Sequence, residues 1–315
     1  MKSHDYDMHK IYEHLGNAKK KNLILDTDTY NEIDDQFAVT YAMVADDINI
    51  LALTAAPFHN HRSSDPADGM EKSYHELIKI RDLNDPEGKR NIPVYRGSDS
   101  YLKNTITPVK SQAVEEIVRK VHESDEVVYI AAIGCFTNVA SALMLDPTIM
   151  DKAVVILVGG QKIRFGCAND FNLEQDKNAA RVIFECGVPV IVLPAIKCTD
   201  ELLATNAEVE YFLRDKAGNI GNYLCDIFNE EEGHPMGENL FCNSKERSIF
   251  DLAAIAFMRN PVGFCNKHFV SAHSITAEGN WINLNDGREM IIMEDIGKDI
   301  VLSDFFTLVR RANAQ

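Results

Sequence analysis

The chain has 315 residues, is 45% hydrophobic and carries a formal net charge of −16 at pH 7. This length and apolar content can bury one large core or two ordinary ones, and the negative charge excludes nucleic acid and anionic membrane as partners, since both need a basic face. No apolar run approaches the roughly 20 residues of a membrane-spanning helix, and MKSHDYDMHKIYEHLGNAKKKN at the N-terminus has neither the apolar core nor the cleavage-like site of a signal peptide.

In an N-terminal extension (1–20), Met8, Ile11, Tyr12 and Leu15 fit one face of a short amphipathic helix packed on the body. A buried strand at 23–27 follows, and Asp34 to Ala45 then repeats apolar residues at helical spacing, with Asp34 placed to cap that helix. Between them lie Asp26, Asp28, Asn31, Glu32, Asp34 and Asp35, five acids within ten residues. They occupy the turn at the carboxyl end of a strand, where open α/β sheets hold their ligands. Such a concentration of like charge calls for a cation, and hard oxygen donors imply Ca²⁺ or Mg²⁺ rather than zinc.

Further strands are predicted at 49–55, 92–95, 127–132, 153–158 and 188–193, and further helices at 71–82, 111–123, 137–146, 176–186 and 206–229. Beyond Pro194 the order changes to the polar loop 229–239, a helix at 245–259 and short strands at 268–276 and 289–293. The alternation implies an α/β fold with an open, mostly parallel, Rossmann-like sheet flanked by helices, ending in a partly helical C-terminal portion. A single domain over 1–315 is the simplest organisation. His59-Asn60-His61 reads as a polar loop after the second strand rather than a metal pair.

Seven cysteines are spread singly with no CxxC pair, which reads as reduced thiols in a cytoplasmic protein. Neither GxxxxGK[ST] nor GxGxxG occurs, so no phosphate loop is present. Gly159-Gly160, after the strand 153–158, marks a tight exit where backbone approaches closely. Asp26-Thr-Asp28 is also similar to the DxDx[TV] signature of haloacid dehalogenase phosphatases, but its fifth position is Tyr30 and no ordered Lys and metal motif follows.

Several segments taken together point elsewhere: Asp26-Thr-Asp28 with Asp34-Asp35; Gly134-Cys-Phe-Thr137-Asn138; Gly159-Gly160 followed by Asn169-Asp170-Phe171-Asn172 and Asp176; and Phe250-Asp251 on a helix. Over roughly residues 22 to 260 this ordered set resembles the inosine–uridine nucleoside hydrolase family. That family carries a DxDxGxDD turn, a GPLTN-like segment, GG then EFNxxxDPxAA, and a late HDP/HDA-like element. The resemblance implies one Ca²⁺ held by Asp28, Asp35, Asp251 and a backbone carbonyl at Ile133, with a water and the ribose diol on the metal. It implies Asp28 as the general base, Asp34 and Asn172 on ribose hydroxyls, and Asp170 on the 5′-hydroxyl. Asp26 is expected to be a structural acceptor ordering the turn. The implied reaction hydrolyses the N-glycosidic bond of a ribonucleoside to ribose and free base through an oxocarbenium-like transition state, which an all-acidic site suits. Such a site would repel phosphate, favouring nucleosides over nucleotides. Homodimers or homotetramers are common in the family.

Four departures stand out. Five residues separate Asp28 from Asp34 where the family has three, so Tyr30, Asn31 and Glu32 must bulge, with Asn31 and Glu32 expected at the substrate. Asp170 stands for a Glu, Pro57-Phe58 for a GN pair, and Phe250 for the His that protonates a purine leaving group. His234 on the loop 229–243 is the candidate replacement acid, and Tyr30, Phe58, Tyr223, Phe228 and Phe241 are candidates to stack on a base. The alternative to an enzyme is a catalytically impaired protein that binds a ribosyl ligand and Ca²⁺.

Overall fold

Near-continuous apolar runs such as Val128–Ala132 and Ala153–Val158 are what a parallel sheet covered on both faces requires. A computed structural model describes residues 7–230, 237–239 and 244–313. In chain order, α1 (Met8–Asn17), β1 (Lys21–Thr27), α2 (Asp34–Val44), β2 (Ile48–Ala55), α3 (Pro66–Asn84), β3 (Val94–Tyr95), α4 (Gln112–Glu123) and β4 (Val128–Ala132) come first. Next are α5 (Thr137–Leu145), β5 (Ala153–Val158), α6 (Phe171–Gln175), α7 (Lys177–Cys186) and β6 (Val190–Leu193). The remainder holds β7 (Leu203–Thr205), α8 (Asn206–Leu213), α9 (Gly218–Asn229), β8 (Gly237–Asn239), β9 (Ser244–Ser248) and α10 (Leu252–Arg259). It closes with β10 (Cys265–Ser271), β11 (His273–Ile275), β12 (Trp281–Asn283), β13 (Glu289–Ile296) and α11 (Lys298–Asn313).

Eight strands form the main sheet in the order β10-β13-β6-β5-β4-β1-β2-β3. Neighbours are parallel except β10 and β13. The chain runs outward from β1 to β3, then returns to lay β4 on the other side of β1 and continues to β6. That reversal opens a crevice beyond the carboxyl ends of β1 and β4, the switch point where such sheets bind ligands. The pleat sends Leu23 and Leu25 into the core shared with α1, α2, α10 and α11, and Ile24 into the core shared with α4, α5 and α7.

The expected N-terminal helix is α1: Met8 and Leu15 are buried, and Tyr12 Oη donates to the Pro261 carbonyl at 3.0 Å. Other boundaries differ from expectation for identifiable reasons. The helix expected over 206–229 is two, because Asp215 and Gly218 adopt φ of 56° and 62° and turn the chain between them. Ser244–Ser248 is a strand rather than the start of a helix, because its backbone pairs with β7 and β8. α11 was not foreseen; its Phe305 packs on Phe37 and Tyr41 at ring-centroid distances of 5.7 and 5.6 Å.

Asn138, on the first turn of α5 and fully buried, ties the carboxyl ends of the central strands together. Its Nδ2 donates to Asp26 Oδ1 at 2.8 Å and to the Ala55 carbonyl at 3.0 Å, while its Oδ1 accepts from Ser98 N at 2.7 Å. Replacing Asn138 by Ala removes this partner from Ser98 N and the Ala55 carbonyl and leaves Asp26 Oδ1 with Thr54 alone, at roughly 1–3 kcal/mol for each buried group left unmet before relaxation. The variant should lose roughly 3 kcal/mol of stability in urea unfolding; an unchanged midpoint and slope would remove Asn138 from this role.

Candidate active site

The acidic turn falls in the crevice at the switch point. Asp28 follows β1, and Asn31 N donates to the Asp28 carbonyl at 2.7 Å, tightening the turn that leads into α2. Asp34 does not cap that helix: Ile33 holds the cap position without a side-chain bond, and Asp34 and Asp35 occupy the first turn. There the free N–H groups and the helix dipole favour negative charge. Asp251 opens α10 and likewise makes no side-chain cap bond, so its carboxylate remains available to the crevice. Asp26 points away into structure, its Oδ1 accepting from Thr54 Oγ1 at 2.6 Å and from Asn138.

Asp28, Asp34, Asp35 and Asp251 are each 6% exposed or less. Burial, reinforced by neighbouring carboxylates, pushes Asp28, Asp34 and Asp251 well above the usual carboxylate range. Burial raises Asp35 to about 7, although the Thr27 hydroxyl donates to it. Together with Glu32, Asn31, Ile133, Asp170 and Asn172, these four acids line an open cavity of about 600 Å³.

The donor set fits a hard divalent cation. Oxygen atoms of Asp34, Asp35 and Asp251 all lie within 4.8 Å of one another. Asp28 Oδ2 is buried and meets no hydrogen-bond partner among the described residues. Gly134 supplies the close approach needed beside it: a Cβ there would stand 2.8 Å from the Asp28 carboxylate. Four adjacent buried carboxylates and an orphaned oxygen are what a bound cation would reconcile. The tight trio includes Asp34, assigned by resemblance to ribose, and Asp28 lies in the same cavity outside the trio.

The residues expected at the sugar stand on α6 and at its N-terminus. Asn172 Nδ2 donates to the carbonyls of Ile133 at 2.7 Å and Val158 at 3.1 Å, fixing its Oδ1 as the free end. Asp170 caps α6, its Oδ1 accepting from Leu173 N at 3.0 Å; burial raises it to about 6 against backbone N–H donation from Gly160, Leu173 and Asn172. The Gly159-Gly160 exit is as tight as expected, with Gly160 at φ 80° and a Gly159 Cβ position 3.3 Å from Asp170 Oδ2.

The apolar wall is Phe171, Ile196 and Phe250, not the aromatics singled out in the sequence. Phe58 and Phe228 are fully buried, Tyr223 Oη donates to Glu76, and Tyr30 lies under Arg62. His234 and Phe241 lie outside the described residues. His59 and His61 sit on a loop, as expected. Two contributors went unrecognised. Asn60 Nδ2 donates to Asn31 Oδ1 at 2.6 Å. Half-buried Arg247, on β9, interacts electrostatically with Glu32 and Asp34. Position after a strand hinted at Asn60; nothing in the polar run Ser244–Ser248 marked Arg247.

Residues 23–297 match the family model described as inosine-uridine preferring nucleoside hydrolase. The chain belongs to that family. Nucleoside hydrolases are glycosidases, and family members are metal-dependent, in keeping with the acidic cluster. A probable uridine nucleosidase 2 of Oryza sativa subsp. japonica is 27% identical over 236 residues, 66% of each chain. A pyrimidine-specific ribonucleoside hydrolase of Enterobacter sp. (strain 638) is 35% identical over 111 residues, covering 34% of this chain and 35% of that one. The chain spans about two thirds of the length of the plant relatives it matches. The purine-preferring ribonucleoside hydrolase of Gardnerella vaginalis shares the fold, with a TM-score of 0.75 at 22% identity over 93% of this chain and 99% of that one.

Cation binding should be visible in stability. At a free Ca²⁺ concentration one hundred times Kd, linkage contributes about 2.7 kcal/mol, which in a nucleoside hydrolase of this size raises Tm by roughly 5 °C. Asp251→Asn should abolish that increase while leaving the chelator-treated protein at least as stable as wild type, because it removes one repelling buried charge. An equal Ca²⁺ response in wild type and variant would place the cation elsewhere.

Proposed function

We propose that the protein hydrolyses the N-glycosidic bond of ribonucleosides to ribose and free base, with Ca²⁺ as its cation and a pyrimidine nucleoside such as uridine as substrate. The observation that carries this reading is the buried Oδ2 of Asp28, without a partner among the described residues, in a crevice of carboxylates at the sheet's switch point. The names of the plant and Enterobacter relatives support the pyrimidine preference.

Asp28, Asp35, Asp251 and the Ile133 carbonyl would hold the cation; that carbonyl already accepts from Asn172 and keeps a second lone pair. When bound, the cation supplies positive charge that neutralises the cluster, acidifies a neighbouring water and orders the ribose diol. Asp28 Oδ2 takes the proton from the water that attacks C1′. Asp34 and Asn172 Oδ1 accept from ribose hydroxyls, and Asp170 faces the 5′-hydroxyl. As positive charge develops on the sugar, the surrounding carboxylates stabilise it. The six described free cysteines support a reducing, cytoplasmic setting.

Ribose release from a panel of ribonucleosides with Ca²⁺ tests this reading. Uridine should be cleaved, and Asp28→Asn should lower kcat by at least roughly 10²-fold, the scale of lost general base catalysis. No release from any nucleoside, with the Ca²⁺ response in Tm retained, would assign the chain instead to ribosyl-ligand binding.

A further inference from the structure

The bulge that lengthens the acidic turn is held by a network that fixes the direction of one carboxamide. Arg62 N, which can only donate, points at Asn60 Oδ1 at 2.8 Å. Asn60 Nδ2 is therefore the end that faces Asn31, and it donates to Asn31 Oδ1 at 2.6 Å. Asn31 Oδ1 must face Asn60, and Asn31 Nδ2 is left over. Asn31 is 5% exposed, lines the cavity, and its Nδ2 donates to no described residue. Behind it the bulge is anchored by Tyr30 N on Ser73 Oγ at 3.5 Å and Thr29 Oγ1 on the Ser73 carbonyl at 3.3 Å, with Arg62 stacked on Tyr30 at 4.6 Å.

The rest of the polar lining makes this donor unusual. Asp28, Glu32, Asp34, Asp35, Asp170 and Asp251 are acceptors when ionised, and both N–H bonds of Asn172 Nδ2 are already taken by backbone carbonyls. Among the described lining side chains, the Asn31 carboxamide thus presents the only uncommitted N–H bonds. Ribose hydroxyls can donate, and the carboxylates serve them. The ring oxygen gains positive charge as the bond to the base breaks, so a donor there would oppose the reaction. A nucleobase carbonyl carries no proton and gains negative charge as the C1′–N electron pair moves onto the base.

We propose that Asn31 Nδ2 donates to an exocyclic carbonyl of the leaving pyrimidine, and that Asn60 is the positioning residue that sets which end of the Asn31 carboxamide faces the substrate. This rests on the hydrolase reading above. Water oxygen bonds to C1′, its proton goes to Asp28, the C1′–N pair departs with the base, and the base takes up a proton from solvent. Asn31 holds the departing charge until then, at a site where Phe250 brings no acid.

The test compares kcat/KM for uridine with that for p-nitrophenyl β-D-ribofuranoside, whose leaving phenolate is stable without assistance. Both substrates use the same cation and the same base. In Asn31→Ala the ratio of uridine to nitrophenyl activity should fall roughly 10²-fold, the scale for losing one donor to developing negative charge. Asn60→Ala frees the carboxamide to rotate and should lower the ratio less. Asn60→Asp should lower it more than Asn60→Ala, because the new carboxylate draws the Asn31 N–H toward itself and turns its oxygen to the substrate. Equal losses on both substrates, an unchanged ratio, or Asn60→Asp milder than Asn60→Ala would overturn the inference. Wild-type protein that cleaves neither substrate would overturn the hydrolase reading and this inference with it.

Discussion

Carboxylate repulsion at the switch point of the sheet is the constraint around which the local structure is organised. Asp28, Asp34, Asp35 and Asp251 are buried together, and burial alone already disfavours each charge. The fold supplies only partial relief. Asp34 and Asp35 stand in the first turn of α2, where backbone N–H groups point at them, and Thr27 donates to Asp35. Nothing comparable reaches Asp28 Oδ2 among the described residues. A folded chain that keeps this arrangement sacrifices stability unless a cation enters, so binding and folding are coupled through the same oxygens.

A second set of contacts keeps the crevice from collapsing. Asn138 joins the ends of β1 and β2 to the segment after β3, and Asn172 bridges the carbonyls that follow β4 and end β5. Each amide satisfies backbone groups that splay apart where parallel strands end, a place where the ladder itself offers no partner. The carbonyl of Ile133 is held in this way by a residue whose other end faces the cavity, so in the proposed mechanism one rigid element would serve both the cation and the sugar.

Much of this was legible in sequence because periodicity and motif spacing are local. Apart from the five-residue α6, the order of strands and helices through β6 follows from apolar runs of strand length separated by helical patterns, and the family motifs fall where β1, β4, β5 and α10 end or begin. What escaped was tertiary in origin. Ser244–Ser248 has no strand signature and becomes one only by pairing with β7 and β8. Phe228 reads as a possible stacking aromatic but packs on Phe37, 6.0 Å away, inside the core. Asn60 reads as loop because its partner Asn31 is remote along the chain and belongs to an insertion without a counterpart in the motif.

The same tertiary placement bears on how a base leaves an acidic pocket. In the proposed reaction, negative charge moving onto the base would run against Glu32, in the bulge, and Asp34, just after it, both on the cavity wall. Arg247 offsets them: its charge interacts with both, while burial depresses its own pKa. Its Nη2 donates to the Glu230 carbonyl at 2.5 Å, its carbon centre stands 5.5 Å from the Phe228 ring, and its Nε is buried without a partner among the described residues. A guanidinium remains charged through such a depression, so its field persists across the working pH range. The pocket therefore need not be uniformly anionic at its rim: in the proposed reaction carboxylates would surround the sugar, where positive charge would grow, while the Arg247 guanidinium interacts with the acids of and next to the bulge.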